Sequence, residues 1–197
     1  MSKYRFQTSD IYLPGTEIPR NRLGIDDAGL LAEIEESLLT QAYRAFIVEL
    51  APAVRFDESY FRSLHGRCFE SLYVWAGHYR DVDMAKGGSL FCRAEFLVNE
   101  SRRIFGELEE ERFLKYSYDW PAERFAERLA YYQGELIALH PFHELNGRIT
   151  RLYIDLIAIF NGYGPIDYSL ALERGEPNEY IKASIACVQA ADVEPLR

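Results

Sequence analysis

Cysteine is scarce in this chain of 197 residues, and its spacing suits neither a metal site nor a disulfide framework. Cys68, Cys92 and Cys187 are odd in number and far apart, and no CxxC pair or Cys/His metal spacing connects them. Reduced thiols in a cytosolic protein are the simplest interpretation of this pattern.

Long hydrophobic runs are also missing. The opening residues MSKYRFQTSD contain no apolar segment of the kind found in secretory signals. No stretch approaches the roughly 18 uninterrupted apolar residues that a membrane helix needs. We therefore expect a cytoplasmic protein that does not bind membranes, although export by a dedicated secretion system would require no such signal.

Positive charge is in deficit, since 22 Lys and Arg face 31 Asp and Glu, for a net charge of −9. This balance argues against nucleic acid or an anionic membrane as the main partner. The chain also has no GxxxxGK[ST] phosphate loop and no HExxH zinc motif. A hydrophobic fraction of 48% and an aromatic fraction of 14% indicate a folded protein with a substantial core.

Apolar residues recur at helical spacing through most of the chain, which predicts an all-α fold. Asp26 or Asp27 and then Asp57 are placed to cap the first two helices. Asp119, with Pro121 two residues later, predicts the start of another. Further helices are expected from about Glu95, from Asn146 to a left-handed cap at Asn161-Gly162, and from Pro177 to Ala190.

Two segments depart from the helical pattern. Residues 1–24 contain two prolines, two glycines and little periodicity, which predicts an extended N-terminal arm laid on a single domain of residues 25–197. In about residues 78–92, Gly87-Gly88 stands between a short stretch of alternating apolar and polar residues and a short apolar run, which predicts a β-hairpin or flap. No internal repeat or linker suggests a second domain.

The stretch HPFHELNGRITR, residues 140–151, concentrates polar groups within one of the most apolar parts of the chain. Pro141 should end a helix at His140, and a new helix should begin near Asn146. A helix N-terminus presents unpaired N–H groups and binds anions. Arg148 and Arg151 are three residues apart on one helix face, so two guanidinium forks near that end would suit a di- or triphosphate.

Two further residues complete a possible reaction site. Glu144 precedes the turn and has the ligand type that Mg²⁺ prefers beside phosphates. His140 has the ordinary pKa of a group that can take a proton from a hydroxyl. The alternative is that these residues have structural roles. A histidine at the end of an apolar stripe commonly packs in the core, and two arginines three residues apart commonly lie on a solvent-exposed helix face. The combination at this spacing favours transfer of a phosphorus-containing group to a hydroxyl.

A metal-hydrolase interpretation does not suit the same loop. His140 and His143 form an HxxH pair, but Pro141 breaks the helix that would bring them onto one face. His65 and His78 have no Cys or His at ligand spacing, so we interpret them as packing or surface residues.

The loop resembles the signature of the Fic (filamentation induced by cAMP) family, HPFx[D/E]GNGRxxR, and departs from it at one specified position. Other segments are similar to the family in the expected order: Trp75-Ala76-Gly77, Tyr79-Arg80, Lys86-Gly87-Gly88, NGY at 161–163, the Tyr180 helix and ADVEPL. The resemblance covers most of residues 21–196. It implies a Fic fold, which is a helical bundle with a short β-hairpin flap.

This resemblance also implies an activity, protein AMPylation, in which AMP from ATP is attached to a Ser, Thr or Tyr hydroxyl of a target protein. The implied roles are a general base (His140), a ligand of Mg²⁺ (Glu144), a phosphate cradle (Asn146, Gly147 and Arg148), a contact to the γ-phosphate end (Arg151) and a flap contact (Lys86). The flap, around residues 84–91, would hold the main chain of the target by strand addition. Phe142 should point inward and anchor the loop.

Leu145 is the single departure, because it stands where the family usually has Gly. We expect a negative φ at Leu145, with the side chain packed inward and the activity retained. The alternative is a loop that needs a positive φ, in which case Leu would distort the pocket and either lower the activity or alter the donor nucleotide. Gly147 favours nucleotidyl transfer, because the related Doc kinases carry Lys at that place. The alternatives are a regulatory module that binds nucleotide with little turnover, and an enzyme that transfers phosphocholine or phosphate.

Fic enzymes are commonly restrained by a helix with the motif [S/T]xxxE[G/N], whose Glu pairs with the second signature arginine. Ser169 is the only Ser or Thr with Glu four residues later, and Arg174 follows that Glu173. The pair also falls after the catalytic helix, where the family does not place the inhibitory helix, and little chain follows ADVEPL. The sequence therefore favours inhibition by a separate small antitoxin, as in toxin–antitoxin pairs.

Overall fold

The computed structural model describes residues 11–173 and 178–197 and, for Arg5–Phe6, the backbone. Six α-helices account for most of these residues, which confirms the predicted all-α class: α1 (Ala28–Glu49), α2 (Glu58–Phe69), α3 (Leu97–Glu110), α4 (Ala122–Leu139), α5 (Asn146–Phe160) and α6 (Glu179–Ala190). No helix in the described ranges combines the length and the hydrophobicity that crossing a bilayer requires.

Side-chain caps begin three of the helices. Asp27 and Asp57 accept hydrogen bonds from the backbone N–H groups three residues later, as the sequence predicts, and Asn178 caps α6 in the same way. The prediction for Asp119 is wrong. That residue ends a short 3-10 turn, Pro121 stands at the N-cap position of α4, and no side chain caps this helix.

Helix α5 lies at the centre of the bundle, where it contacts α1, α2 and α4. Its residues 152–158 are all buried, as expected of a helix that packs on several sides. An aromatic cluster joins α5 to α2 and to the loop before it, with the ring of Phe61 at 5.2 Å from Tyr153 and at 5.5 Å from Phe142. The loop between α4 and α5 is thereby fixed to the main core.

A small antiparallel sheet of three strands interrupts the helical pattern: β1 (Arg5–Phe6), β2 (Met84–Lys86) and β3 (Ser89–Leu90), in the order β1-β2-β3. The β2–β3 hairpin is the predicted flap. Gly87 and Gly88 form its turn with φ of +56° and +84°, a combination that favours glycine at both positions. Sequence reasoning missed β1, because two residues are too few to show a pattern.

Between this first strand and α1, residues 11–24 contain no helix. Tyr12 and Pro19 form an isolated antiparallel bridge, and the backbone N–H of Arg22 donates to the carbonyl of Leu72 at 2.7 Å. The bond from Arg22 to Leu72 attaches the end of this segment to the loop that follows α2, while the Tyr12–Pro19 bridge lies within the segment itself. The remainder of the predicted arm, residues 1–4 and 7–10, and the predicted helix start at Pro177 lie outside the described residues.

Candidate active site

A cleft of about 340 Å³ opens between the flap, the α4–α5 loop and α6. One side is polar and the other, contributed by α6, is largely apolar. The residues that line the cleft include Lys86, Phe91, His140, Asn146, Gly147, Thr150, Arg151 and Tyr180. The structure thus brings five of the seven predicted site residues to one cleft, and Glu144 and Arg148 are the two that do not line it.

His140 stands at the C-cap of α4, where the following proline prevents a further helical turn. Its backbone is left-handed, with φ of +46°, and its N–H donates to Leu136 at 3.1 Å. The imidazole stacks on Phe91 of the flap, with ring centroids 3.7 Å apart and planes 11° apart. Both rings are buried. The flap and the helix end therefore fix the orientation of this histidine together.

The protonation state of His140 follows from its surroundings. Burial, with a contribution from the nearby Arg80 guanidinium, lowers its pKa to about 3. The Nδ1 atom lies 3.3 Å from the carbonyl of Ile137, which suits Nδ1–H as donor and places the lone pair on Nε2. A neutral imidazole with this tautomer is able to accept a proton at neutral pH.

Arg80 connects the flap to the α4–α5 loop, a role that sequence reasoning did not assign to it. Its guanidinium is buried and donates to the carbonyls of His140 at 2.9 Å, Val82 at 2.6 Å and Cys92. Its backbone N–H donates to Pro141 at 2.8 Å. The sequence feature that could have indicated this role is the position of the arginine between Trp75-Ala76-Gly77 and the predicted hairpin. Each of these acceptors is a main-chain carbonyl oxygen. The Arg80 guanidinium therefore fixes the backbone of the loop and the flap by hydrogen bonds.

The N-terminus of α5 forms the floor of the cleft. Asn146 uses its side chain to close the preceding loop, with Oδ1 accepting from the N–H of Phe142 at 2.8 Å and Nδ2 donating to its carbonyl at 2.7 Å. No side chain in the described chain caps this helix end. The first N–H groups of α5 at Asn146 and Gly147 therefore face the cleft region without an intrahelical acceptor.

The two signature arginines are separated by the fold. Arg151 lines the cleft, and its guanidinium lies 4.8 Å from the ring centre of Tyr180 and 5.8 Å from that of Tyr168. Arg148 instead donates to Glu35 of α1 at 3.0 Å. Arg148 and Arg151 are three residues apart, but this spacing does not bring both side chains to one ligand, because Glu35 of α1 binds Arg148. Only a tertiary contact could reveal this difference.

Glu144 is buried beside the cleft, in the loop before α5. Its Oε1 accepts a hydrogen bond from the Tyr12 hydroxyl at 2.6 Å. Its carbonyl lies 3.2 Å from Nε2 of His65, whose Nδ1 accepts from the N–H of Gly77 at 3.0 Å. His65 is thus a buried residue that supports the loop, in agreement with the packing role assigned from sequence.

The donor set around Glu144 fits Mg²⁺ better than a metal that needs several protein ligands. The described residues contain no group of three or more His, Cys, Asp or Glu side chains that would hold an ion. Mg²⁺ commonly takes one or two carboxylates and completes its shell with substrate phosphates and water. A single carboxylate beside a phosphate-binding helix end is sufficient for that arrangement.

Comparison with known protein families identifies the family to which the α4–α5 loop belongs. The model of the Fic/DOC family matches residues 55–158, which include the flap, Arg80 and the whole α4–α5 loop. The chain belongs to the Fic/DOC family. The family recognised from HPFHELNGRITR is therefore confirmed.

Curated relatives extend the Fic match beyond that region. "Probable protein adenylyltransferase y4lH" of Sinorhizobium fredii is 30% identical over 196 residues, which are 100% of this chain and 96% of that protein. "Probable protein adenylyltransferase Fic" of Escherichia coli is 35% identical over 155 residues, which are 78% of this chain and 74% of that protein. These relatives confirm the predicted enzyme class, a nucleotidyltransferase of the Fic family.

A solved structure supports the Fic fold. The Bartonella tribocorum BepC protein, described as a VirB-translocated effector with bound AMPPNP, superimposes with a TM-score of 0.78 at 23% identity. The match covers 94% of this chain and 91% of that one. The predicted Fic architecture, a helical bundle with a hairpin flap, is confirmed.

Leu145, the departure from the Fic signature, does not have the negative φ that we expected. Its φ is +67° and its ψ +10°, so the loop keeps a left-handed conformation before α5. The expectation of a negative φ was wrong: Leu145 takes the left-handed backbone directly before α5, in a loop that the Asn146–Phe142 hydrogen bonds close. The second part of the expectation holds, since the side chain packs inward and is 8% exposed.

The sequence match to a Fic inhibitory motif is next in the chain to two residues of the site, Tyr168, which contacts Arg151, and Leu172, which lines the cleft. Ser169 and Glu173 fall in the loop after α5, and both are exposed. The only ion pair that the described residues show for a signature arginine is the one between Arg148 and Glu35.

Proposed function

We propose that the cleft transfers AMP from Mg-ATP to a Ser, Thr or Tyr hydroxyl of a target protein and releases pyrophosphate. The observation that carries this proposal is the neutral, oriented imidazole of His140 in the same cleft as the N-terminus of α5 and the guanidinium of Arg151. A base, an anion-binding helix end and a cation are the groups that nucleotidyl transfer to an alcohol requires.

His140 acts as the general base in this proposal. Nε2 accepts the hydroxyl proton while the hydroxyl oxygen forms a bond to the α-phosphorus. The bond from that phosphorus to the oxygen bridging the α- and β-phosphates then breaks, and pyrophosphate carries the electron pair away. Burial keeps the imidazole of His140 neutral at neutral pH, and Nε2 then carries the lone pair that takes the hydroxyl proton.

The polyphosphate of ATP binds to the start of α5 in this arrangement. The N–H groups of Asn146, Gly147 and Arg148 supply the cradle, and Arg151 binds the γ-phosphate end. Tyr180 and Tyr168 support Arg151 from behind by cation–π contact. The AMPPNP in the Bartonella tribocorum relative supports an adenine nucleotide as the ligand of this fold.

Glu144 would hold Mg²⁺ beside the phosphates. The ion, when bound, neutralises phosphate charge and orients the pyrophosphate leaving group. In the present structure the Glu144 carboxylate accepts the Tyr12 hydroxyl, so this hydrogen bond would rearrange or persist as an outer contact when the ion binds. The role of Arg148 in the phosphate cradle is limited to its backbone unless its side chain leaves Glu35.

The flap provides the docking edge for the target in this proposal, and Lys86 lies at the end of β2 where it lines the cleft. We also propose the division into an arm of residues 1–24 and a Fic domain of residues 25–197. A toxin role with a separate antitoxin is the form of regulation that we favour, because the one [S/T]xxxE match, at Ser169 and Glu173, is exposed and lies outside the helices.

The test is to incubate purified protein with Mg²⁺, a cell lysate and ATP labelled at either the α- or the γ-phosphate. Labelled protein bands are expected from the α-label alone. His140→Ala should remove them, by about 10³-fold or more, while ATP binding and the unfolding temperature stay near wild type. His78→Ala is the matched control, because that histidine is exposed. Label from γ-ATP would instead indicate a kinase, and ATP binding without either label would indicate a regulatory module.

A further inference from the structure

The outer edge of β2 is occupied by the chain itself. β1 pairs with it antiparallel, with Arg5 opposite Ala85 and Phe6 opposite Met84. The other strand of the hairpin, β3, lies against α6, where Gln189 donates to the Ser89 hydroxyl at 3.1 Å. Among the residues that the structure describes, the β2 edge is therefore the flap edge at which an extended segment pairs, and β1 holds it.

A second contact links the same N-terminal segment to the catalytic loop. Tyr12 donates its hydroxyl hydrogen to Glu144 at 2.6 Å. The backbone around Tyr12 is held in place, since Leu13 donates to Ile18 at 2.8 Å and Arg20 donates to Ile11 at 2.6 Å. The segment thus contacts both the flap edge and the carboxylate assigned to Mg²⁺, which are two parts that the reaction needs.

We propose that β1, Arg5–Phe6, is an internal competitor of the target protein for the β2 edge. This inference rests on the proposed function, in which the target pairs with the flap. Strand addition depends on main-chain hydrogen bonds, so β1 and a target would use the same N–H and C=O groups of Ala85. The carbonyl of Met84 faces the other side of β2, where it accepts from the N–H of Phe91 at 3.1 Å. A target with an extended segment must displace β1 before it is modified.

The energetics favour a competitor that is effective but displaceable. A segment tethered within the same chain acts at an effective concentration on the order of millimolar, far above that of a free target. Two residues of strand pairing are only marginally stable by themselves, so a longer target strand with side-chain contacts is able to replace them. The expected result is slow modification of weak targets and selection for those that pair over a longer stretch.

The test begins with a variant that removes the pairing. Arg5→Pro combined with Phe6→Pro deletes both backbone N–H groups, because adjacent residues of a strand alternate in facing the partner. Arg5→Ala combined with Phe6→Ala is the matched control, since it changes both side chains and keeps both N–H groups. The probe is a fluorescent peptide of residues 1–12, MSKYRFQTSDIY, added to each full-length protein and followed by anisotropy.

The double-proline variant is expected to bind the peptide at least about tenfold more tightly than the wild type and the alanine control. The backbone amide of Ala85, which faces β1, should also exchange with deuterium at least about tenfold faster in that variant, with unchanged exchange in α5. Equal peptide affinity in all three proteins, or unchanged exchange at Ala85, would overturn the proposal.

Neither measurement requires ATP or any transfer reaction, so both are independent of the proposed activity. In the transfer assay, labelling of lysate proteins from α-labelled ATP should rise at least about fivefold in the double-proline variant. Labelling that occurs but does not rise would exclude competition with targets. Absence of label from every variant would count against adenylyl transfer, while the peptide and exchange results would still decide whether the segment occupies the edge.

Discussion

The imidazole of His140 lies parallel to the ring of Phe91, with centroids 3.7 Å apart. The two residues come from different elements, a helix end and the β3 side of the flap. Their contact buries the base and, together with the positive charge of Arg80, keeps it neutral. In the proposed reaction, the flap would therefore contribute to the chemistry of the site as well as to the docking of a target.

Phe91→Ala should expose the imidazole to water and move the pKa of His140 from about 3 towards its ordinary value near 6.5. In the wild type this base stays unprotonated down to low pH, so kcat/KM should show no acidic limb between pH 5 and 8. In the variant, kcat/KM should fall as the pH drops below about 6.5. The measurement is the pH profile of transfer, with the exposed Phe96 changed to Ala as the control. A wild-type profile with a midpoint near 6.5 would contradict the assignment.

Arg151→Lys should reduce kcat/KM for ATP by about 10- to 100-fold, because Lys loses the guanidinium fork and the flat contact with Tyr180. The unfolding temperature should change little, since no ion pair is lost. Arg148→Lys is the matched comparison. It should cost about 1 to 2 kcal/mol of stability by weakening the partly buried pair with Glu35, with a smaller effect on ATP. The opposite pattern would show that Arg148 is the phosphate ligand.

Leu145→Gly should retain transfer activity, because glycine adopts the φ of +67° without strain. Its stability should nevertheless fall by about 1 to 2 kcal/mol, since the buried side chain is lost and only part of that cost is offset by relieved strain. Leu145→Val should lower both quantities, because a β-branched residue is poorly suited to positive φ. Urea denaturation and the transfer rate check the two effects separately.

Acid should destabilise the fold through His65. Burial lowers the pKa of this residue to about 4, so between about pH 6.5 and 4 the unfolded chain binds a proton that the folded chain does not. The free energy of unfolding should therefore fall as the pH decreases through this window, by up to about 1.4 kcal/mol per pH unit for this group. His65→Asn should be less stable at pH 7, where its bonds to Gly77 and Glu144 are altered, and less sensitive to acid. An equal pH dependence in both proteins would contradict this role.

The features of the fold that could be predicted from the sequence are those that depend on residues close together in the chain. Asp27, Asp57 and Gly87-Gly88 act through hydrogen bonds or dihedral angles of neighbouring residues, so the sequence indicates them directly. Asp119 misled because the chain enters α4 through a 3-10 turn that its cap pattern does not reveal. Leu145 misled because the surrounding loop determined its φ.

The candidate site was predictable to the same extent. His140, Asn146, Gly147 and Arg151 are close in sequence and share one cleft, so the motif located them together. The partners that distinguish Arg148 from Arg151 come from α1 and α6, more than 25 residues away in the sequence. β1 and the Tyr12 contact to Glu144 could not be predicted either, because they join Arg5–Phe6 and Tyr12 to distant elements through tertiary contacts only.

Arg80 has a consequence for how new targets are acquired. Because it fastens the root of the hairpin to the backbone at His140 and Pro141, the reach from a docked main chain to the base is set by the scaffold. Amino acids at the tip can then be exchanged without retuning the chemistry. Replacing the Gly87-Gly88 turn with that of another relative, with Lys86 kept, should accordingly redirect the enzyme to other clients while preserving its intrinsic speed.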